Sequence, residues 1–124
     1  MPSTSNGHLL NYIDGKWTPS SASQFLDVKN PATAEVMTQV PLSPADEVDA
    51  AAQAAQKAFR EWRRTPVGER IQYLYRLKRL LEEQKDELAR VITNEAGKTF
   101  VESQAEMVRS IENIEVACGA PVMM

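Results

Sequence analysis

Three adjacent residues, Gly97, Lys98 and Thr99, have the types that end a nucleotide-binding P-loop. There the lysine and the hydroxyl contact phosphates and Mg²⁺, and a second glycine five positions before the Gly-Lys pair lets the backbone turn inward. Here that position is Ile92, and the residues before Gly97 have the apolar spacing of a helix, whereas a P-loop follows a strand. The sequence therefore argues against ATP chemistry at this point.

The sole cysteine and the sole histidine are the next candidates for catalytic or metal-binding groups. Cys118 lies on a helical apolar stripe with no histidine nearby, which favours a buried structural thiol over a nucleophile. His8 lies in a polar N-terminal segment and has no local Cys/His partner for a metal site. Neither residue is predicted to be catalytic or to bind a metal.

Charged residues form two further groups. The adjacent carboxylates Glu82-Glu83 and Asp86-Glu87 point in different directions on a helix, so we interpret them as a solvated face rather than an acid–base pair. Residues 57–79 combine eight basic residues with Trp62 and two tyrosines, a composition that some nucleic-acid-binding helices share. Glutamates interrupt this segment, which favours surface ion pairs.

Composition limits the class of protein. The 124 residues are 43% hydrophobic and 25% charged, which is typical of one globular domain. The net charge of −3 argues against general binding to nucleic acid or to acidic membranes. The chain shows neither a membrane-spanning run nor a signal peptide, and one cysteine excludes an intramolecular disulfide. We predict a cytoplasmic protein.

Strands are predicted in the first third of the chain. Residues 1–8 are predicted to be a mobile N-terminus, and residues 9–42 to form short strands with a hairpin. The runs Leu9–Ile13, Phe25–Val28 and Glu35–Val40 are separated by turn signals at Asp14-Gly15 and Asn30-Pro31.

Residues 43–124 are predicted to be helical. Ser43 is placed to cap the first helix, with Pro44 in its first turn. That helix extends to about Arg64, and its apolar residues recur at spacings of four and three. They are Val48, Ala52, Ala55, Phe59 and Trp62.

Further helix boundaries are predicted after Arg64, which gives three or four helices in residues 43–124. A second start occurs at Thr65-Pro66, and Lys85-Asp86 is a candidate interruption. Gly97 then follows a helix end, where a left-handed conformation suits glycine. Thr99 and Glu102 form a capping box for the last helix, whose apolar face carries Met107, Ile111, Ile114 and Cys118. Gly97-Lys98-Thr99 is thus predicted to be a helix–helix corner.

Four blocks, in order, resemble the N-terminal part of the aldehyde dehydrogenase superfamily over residues 11–119. They are "YIDGKW", "VKNPATAEVMTQVP", "AAQAAQKAFREWRRTP" and "ERIQYLYRLKRLLEEQKDELARVITNEAGKT". Glu95 to Lys98 resembles that family's glutamate-x-glycine-lysine corner. The closing "EVACGAPVMM" is similar to the coenzyme-A-acylating methylmalonate-semialdehyde dehydrogenase branch. Ala34 departs from the pattern, since the family usually has glycine there.

The resemblance implies an α/β parent with a Rossmann-type NAD domain, of which this chain supplies a short β segment and three or four helices. It implies NAD-dependent oxidation of an aldehyde through a cysteine thioester, which water or coenzyme A releases. The parent would be a homo-oligomer. Its catalytic and cofactor residues would lie downstream, so none is assigned in this chain, and this chain alone would be inactive.

The resemblance also suggests a monovalent-cation site at the Val28 carbonyl and Glu106, although the match does not assign a metal ligand here. Two other functions remain open from the residues themselves. One is a stand-alone helical interaction module, and the other is a small nucleic-acid-binding protein. If the chain is part of a larger enzyme, its helices carry apolar stripes intended for an absent sheet, and we expect the isolated chain to self-associate or to be partly molten.

Overall fold

The computed structural model describes residues 4–5 and 7–123, and the chain divides into two compact units. The first unit is Met1–Arg64 and the second is Thr65–Met124. The first contains all the strands and one long helix, and the second is helical. This agrees with the predicted change from strands to helices.

A four-stranded sheet in the first unit has the order β1-β2-β6-β5. Its strands are β1 (Thr4–Ser5), β2 (His8–Leu9), β5 (Phe25–Lys29) and β6 (Val36–Pro41). The pairs β1–β2 and β5–β6 are antiparallel, whereas β2 runs parallel to β6. The register between β5 and β6 shifts between Val28 and Lys29.

A separate hairpin joins β3 (Asn11–Ile13) to β4 (Lys16–Thr18). Asp14 and Gly15 connect the strands with positive φ angles of 52° and 75°. Positive φ at both central residues is the geometry of tight hairpin turns, which asparagine, aspartate and glycine tolerate best. The turn predicted at Asp14-Gly15 is therefore confirmed.

The turn between β5 and β6 places a non-glycine residue in the left-handed region. Asn30 accepts from the backbone N–H of Ala32 through its side chain (2.9 Å), and its own carbonyl accepts from Ala34 (2.8 Å). Ala34 has a φ of 60°. Because the Cβ atom crowds the backbone in this region, alanine is strained where glycine would not be.

The first helix, α1, spans Ala45–Trp62 and buries none of its residues. Its N-cap is Pro44, and no side chain caps its free N–H groups. The prediction that Ser43 caps this helix is wrong. The Ser43 hydroxyl instead accepts from the side chain of Asn11 (2.8 Å), so a contact distant in sequence has replaced the local one.

The second unit begins with α2 (Val67–Glu83) and α3 (Lys85–Ala96), separated at Gln84. Gln84 has φ −106° and ψ 13°, which interrupts the helical backbone. The predicted interruption at Lys85-Asp86 is thus confirmed to within a residue. Gly97 ends α3 with φ 70° and ψ 14°, the predicted left-handed conformation.

The last helix, α4 (Phe100–Cys118), packs against α2 and α3 and is followed by a 3₁₀ helix, Ala120–Met123. On α4, Met107, Ile111 and Cys118 are buried as predicted, and Ile114 is half-buried. Ala89 of α3 and Ser103 of α4 are fully buried. These small side chains allow the two helices to approach closely.

Two boundaries in the first unit differ from the predictions. The run Leu9–Ile13 is divided at Leu10 between β2 and β3, which belong to different sheets. The strands also begin before residue 9, because Thr4–Ser5 pair with His8–Leu9 within the segment predicted to be mobile. Residues 1–3 and 6 of that segment lie outside the described residues, as does residue 124.

Candidate functional site

The Gly97 corner has helix-capping geometry. The N–H of Gly97 donates to the carbonyl of Thr93 (3.0 Å), which closes the last turn of α3. Gly97 then turns the chain, and α4 begins three residues later at Phe100. A left-handed residue just past a helix end is a common helix stop, and it presents no inward-facing row of N–H groups.

Thr99 uses its polar groups within the protein. Its hydroxyl and its N–H both donate to the Glu102 carboxylate (2.8 and 3.0 Å), and the hydroxyl accepts from the Glu102 N–H (3.3 Å). The predicted capping box is confirmed. These hydrogen bonds, that of the Thr99 hydroxyl first, lower the pKa of Glu102 below its usual value. Because the groups that a P-loop offers to phosphate and Mg²⁺ are occupied, the corner does not fit a nucleotide.

Lys98 pairs with Glu106 in the second turn of α4. The hydrogen bond from Lys98, followed by its charge, lowers the pKa of Glu106 below its usual value. Glu106 is thus paired with the ammonium group of Lys98 in the second unit, whereas Val28 belongs to β5 of the first unit. The resemblance to the family alone suggests this cation site, and no metal ligand is predicted in this chain.

Cys118 is buried by packing, and His8 takes part in the pairing and stacking of the sheet. Cys118 is a free thiol in the last turn of α4 and is only 7% exposed, which agrees with its predicted burial. His8 pairs with Gln39 in the sheet and stacks on Phe25 with ring centroids 4.0 Å apart. Within residues 4–5 and 7–123, no group of three or more His, Cys, Asp or Glu side chains could hold a metal ion.

The charged side chains of α2 mostly contact one another. Lys78 pairs with Glu82 (2.9 Å) and with Glu115 of α4 (3.6 Å), and the bond to Glu82 is the main cause that raises the pKa of Lys78. Arg79 pairs with Glu83 (3.5 Å). The carboxylates Glu82 and Glu83, predicted to lie on a solvated face, are exposed and take part in helix-surface ion pairs.

A polar cluster in the first unit is the most highly connected side-chain site that the structure describes. The Glu47 cluster consists of Asn11, Ser20, Ser21, Ser43 and Glu47. One carboxylate oxygen of Glu47 accepts from the Ser20 hydroxyl (2.6 Å) and from the Asn11 amide (3.4 Å). The other accepts from the N–H and the hydroxyl of Ser21 (2.5 and 2.7 Å). The cluster fastens residues 11–21 to the first turn of α1.

The Glu47 cluster stabilises a carboxylate and is unsuited to proton transfer. Hydrogen bonds from Ser20, then from the Ser21 backbone and hydroxyl, lower the pKa of Glu47 from 4.5 to about 2. A carboxylate with such a pKa is too weak a base to activate a serine near neutral pH. A cavity of about 250 Å³ lies beside it, between β3 and α1. The cluster therefore acts as a structural clamp.

Sequence reasoning missed the Glu47 cluster. Glu47 itself resembles an ordinary acidic residue in a first helical turn, where it would favour the helix dipole. Its partners lie 26 to 36 residues earlier in the chain, with the exception of Ser43. Serine and asparagine near strands normally indicate turns, so the pattern holds no signal for the contact.

The chain matches the family model described as "Aldehyde dehydrogenase family" over residues 17–124. It is 47% identical over 116 residues to malonate-semialdehyde dehydrogenase of Bacillus velezensis, covering 94% of this chain and 24% of that protein. The chain thus spans about a quarter of the length of the curated relatives it matches.

Solved structures with related folds agree with this similarity. The methylmalonate-semialdehyde dehydrogenase of Oceanimonas doudoroffii superposes with a TM-score of 0.83 at 41% identity, over 89% of this chain and 22% of that one. An NAD-dependent benzaldehyde dehydrogenase from Corynebacterium glutamicum superposes with a TM-score of 0.86 at 28% identity, over 92% and 25%. Within the described part of this chain, no helix is both long and apolar enough to span a bilayer.

Proposed function

This chain belongs to the aldehyde dehydrogenase family, and we propose that it forms the N-terminal part of an NAD-dependent enzyme that oxidises malonate or methylmalonate semialdehyde to an acyl-CoA. The observation that carries the proposal is the 47% identity to a malonate-semialdehyde dehydrogenase along 94% of this chain. The same similarity favours this proposal over a stand-alone helical module or a nucleic-acid-binding protein.

The proposed chemistry requires residues that this chain does not supply. In the family, a cysteine thiolate adds to the aldehyde, hydride leaves for NAD, and coenzyme A or water releases the thioester. Cys118 does not fit the nucleophile, because it is buried among apolar helix residues. The Gly97 corner does not fit the dinucleotide. We therefore place the nucleophile and the cofactor site in a later part of the polypeptide.

The role we propose for this chain is structural support. The Gly97 corner sets the direction of α4 relative to α3, and the Glu47 cluster fixes the hairpin against α1. In this proposal, the corner and the cluster orient surfaces on which a catalytic domain packs. Assembly of the parent enzyme into a homo-oligomer and its cytoplasmic location are part of the same proposal.

A chimeric enzyme tests the proposal. The matching N-terminal part of the Bacillus velezensis malonate-semialdehyde dehydrogenase would be replaced by this chain, and NADH formation from malonate semialdehyde and coenzyme A would be followed by absorbance. We expect the chimera to be active. The 124-residue chain alone should produce no NADH, because it lacks the nucleophile and the cofactor site.

The matched control carries the corresponding segment of the Corynebacterium glutamicum benzaldehyde dehydrogenase, which is only 28% identical to this chain. We expect that chimera to be less active or poorly folded. A folded chimera with this chain but without activity would contradict the proposed role. Activity of the isolated chain that Cys118→Ser abolishes would overturn the placement of the nucleophile.

A further inference from the structure

Asp14 is the only aspartate of this chain that a glycine follows. An aspartyl side chain can react with the backbone nitrogen of the next residue: the nitrogen attacks the carboxyl carbon, one water molecule leaves, and a cyclic imide forms. Hydrolysis then takes up one water molecule and opens either carbonyl of the ring. One opening restores aspartate, and the other gives isoaspartate, in which the main chain runs through the side-chain carbon. No reactant other than water takes part.

Ring closure requires a particular backbone angle at Asp14. The ring brings the attacking nitrogen of Gly15 into line with the Cβ atom of Asp14, which for an L-residue corresponds to a ψ of about −120°. At negative φ this ψ lies outside the allowed regions. With a φ of about 60°, the same ψ occurs at the first central position of a type II′ hairpin turn. An unstructured chain therefore seldom samples the reactive angle.

Asp14 already has the φ angle of that turn. Its φ is 52° and that of Gly15 is 75°, so both angles are positive, as in a type I′ turn. Both turn types join the strands of a two-residue hairpin. They differ by a rotation of the peptide plane between the two residues, which moves the ψ of Asp14 from about 30° to about −120° and makes the φ of Gly15 negative. The strands can stay paired during this rotation.

Gly15 and the space beside it permit the rotation. Glycine adopts φ angles of either sign because it has no Cβ atom. Among the described residues beyond its chain neighbours, nothing lies within 4 Å of the position that a Cβ atom of Gly15 would take. A cavity of about 760 Å³ is lined by Asp14 and by α1 residues that include Lys57 and Arg60. It gives the carboxyl group room to turn toward the nitrogen, and it admits the water that hydrolyses the imide.

We propose that Asp14-Gly15 is a site of spontaneous isomerisation, and that the folded hairpin accelerates the reaction by holding Asp14 at the reactive φ. The strands on either side of the turn are paired from Asn11 to Thr18, and the side chain of Asn11 donates to Ser43 (2.8 Å). The hairpin is therefore held closed while the peptide plane at its tip rotates. Because the reaction needs no substrate and no catalytic domain, it is independent of the proposed function.

Isoaspartate should alter the hairpin. It adds one methylene group to the main chain between Ile13 and Lys16, and the longer connection no longer fits a two-residue turn. The rings of Tyr12 and Trp17, whose centroids lie 4.8 Å apart, form the next pair across the strands. We therefore expect the isoaspartyl form to lose this contact and to exchange the amide hydrogens of residues 11–18 faster than the aspartyl form.

Incubation of the 124-residue chain in water labelled with heavy oxygen tests the proposal, because each passage through the imide places one labelled oxygen on residue 14. After digestion in ordinary water, mass spectrometry reads the chymotryptic peptide 13–17. This peptide excludes Asn6, which also precedes a glycine and forms the same imide by losing ammonia. We expect the folded chain to take up label several-fold faster than a synthetic peptide of residues 10–19, and urea should remove the difference.

Two variants control for the chemistry. Asp14→Glu retains the charge but places the carboxyl carbon one bond further along the side chain, so the same ring cannot form and the peptide should take up no label. Gly15→Ala crowds the attacking nitrogen and should slow uptake about tenfold. Far-ultraviolet circular dichroism checks that each chain keeps its helices. A folded chain that takes up label no faster than the synthetic peptide would overturn the proposal, and so would equal uptake by the Asp14→Glu chain.

Discussion

The two units of this chain are stabilised in different ways. In the second unit, where α4 packs against α2 and α3, the buried residues are Ala89, Ser103, Met107, Ile111 and Cys118. Among the described residues of the first unit, only Pro41 is buried. The first unit is stabilised by the backbone hydrogen bonds between its strands and by the Glu47 cluster.

The difference shows where local sequence features, such as helix caps and apolar periodicity, are enough to specify the fold and where they are not. In the second unit, helix caps and apolar periodicity agree with the tertiary packing, and such agreement favours a single well-defined state. In the first unit, strands of two to six residues need partners beyond their own sequence, because isolated short strands are marginal in water. We therefore expect substitutions of similar chemistry to have different effects in the two units.

The largest difference should appear on truncation of an apolar side chain. Ile111→Ala in the second unit removes a side chain that is only 9% exposed, and it should cost about 3 kcal/mol in the free energy of unfolding. Leu26→Ala in the first unit removes a side chain that is 57% exposed, and it should change that free energy by less than about 0.5 kcal/mol.

Hydrogen exchange, read separately for peptides of α4 and of β5, measures both effects. Protection should fall in α4 for the first variant and remain unchanged in β5 for the second. Equal losses for the two variants would show that an apolar core stabilises the first unit as well, and the contrast between the units would fail.

The next effect concerns pH and the Glu47 cluster of the first unit. The hydrogen bonds to Glu47 lower its pKa from 4.5 to about 2 in the folded chain. The stability that the carboxylate provides is therefore fully present above pH 4.5 and is lost as the pH falls to about 2. Glu47→Gln should loosen the hairpin at neutral pH and remove this pH dependence.

Asp46→Asn is the matched control, because Asp46 is an exposed acidic residue in the same helical turn. Trp17 lies in the hairpin and Trp62 in α1, so tryptophan fluorescence during acid titration reports on the first unit. An acid transition that is the same in the wild-type chain and in Glu47→Gln would exclude a clamping role for Glu47.

The smallest effects should come from two left-handed positions, and they should have opposite signs. Gly97→Ala introduces a Cβ atom at a φ of 70° and should destabilise the second unit by about 1 kcal/mol. Ala34→Gly removes a Cβ atom at a φ of 60° and should stabilise the first unit by about 0.5 kcal/mol, since the relieved strain exceeds the added chain entropy.

Lys98→Ala serves as the control at the corner, because it removes an exposed ion pair and leaves the backbone unchanged. It should be nearly neutral in urea denaturation. If Lys98→Ala were the more damaging variant, or if the chain bound ATP and Mg²⁺ at micromolar concentration, the corner would have a role beyond helix capping.

Most features of the second unit could be predicted, because each depends on residues close in sequence. The capping box joins residues three apart, and Gly97 closes a turn onto Thr93, four residues earlier. The full burial of Ser103 could not be predicted, since its hydroxyl contacts Thr93 of the neighbouring helix (2.9 Å) and the carbonyl of Thr99 (3.1 Å). A polar residue in a predicted helix gives no sign that another helix will cover it.

The sequence by itself determined the change from strands to helices, the positions of the Gly97 corner and its cap, and the resemblance to aldehyde dehydrogenases. Those features follow from local hydrogen bonds, backbone preferences and residue order. The tertiary structure alone decided that Leu9–Ile13 divides between two sheets and that Ser43 accepts from Asn11 rather than capping α1. These outcomes depend on which distant groups meet, because a hydroxyl or a strand edge accepts many partners and only the fold selects one.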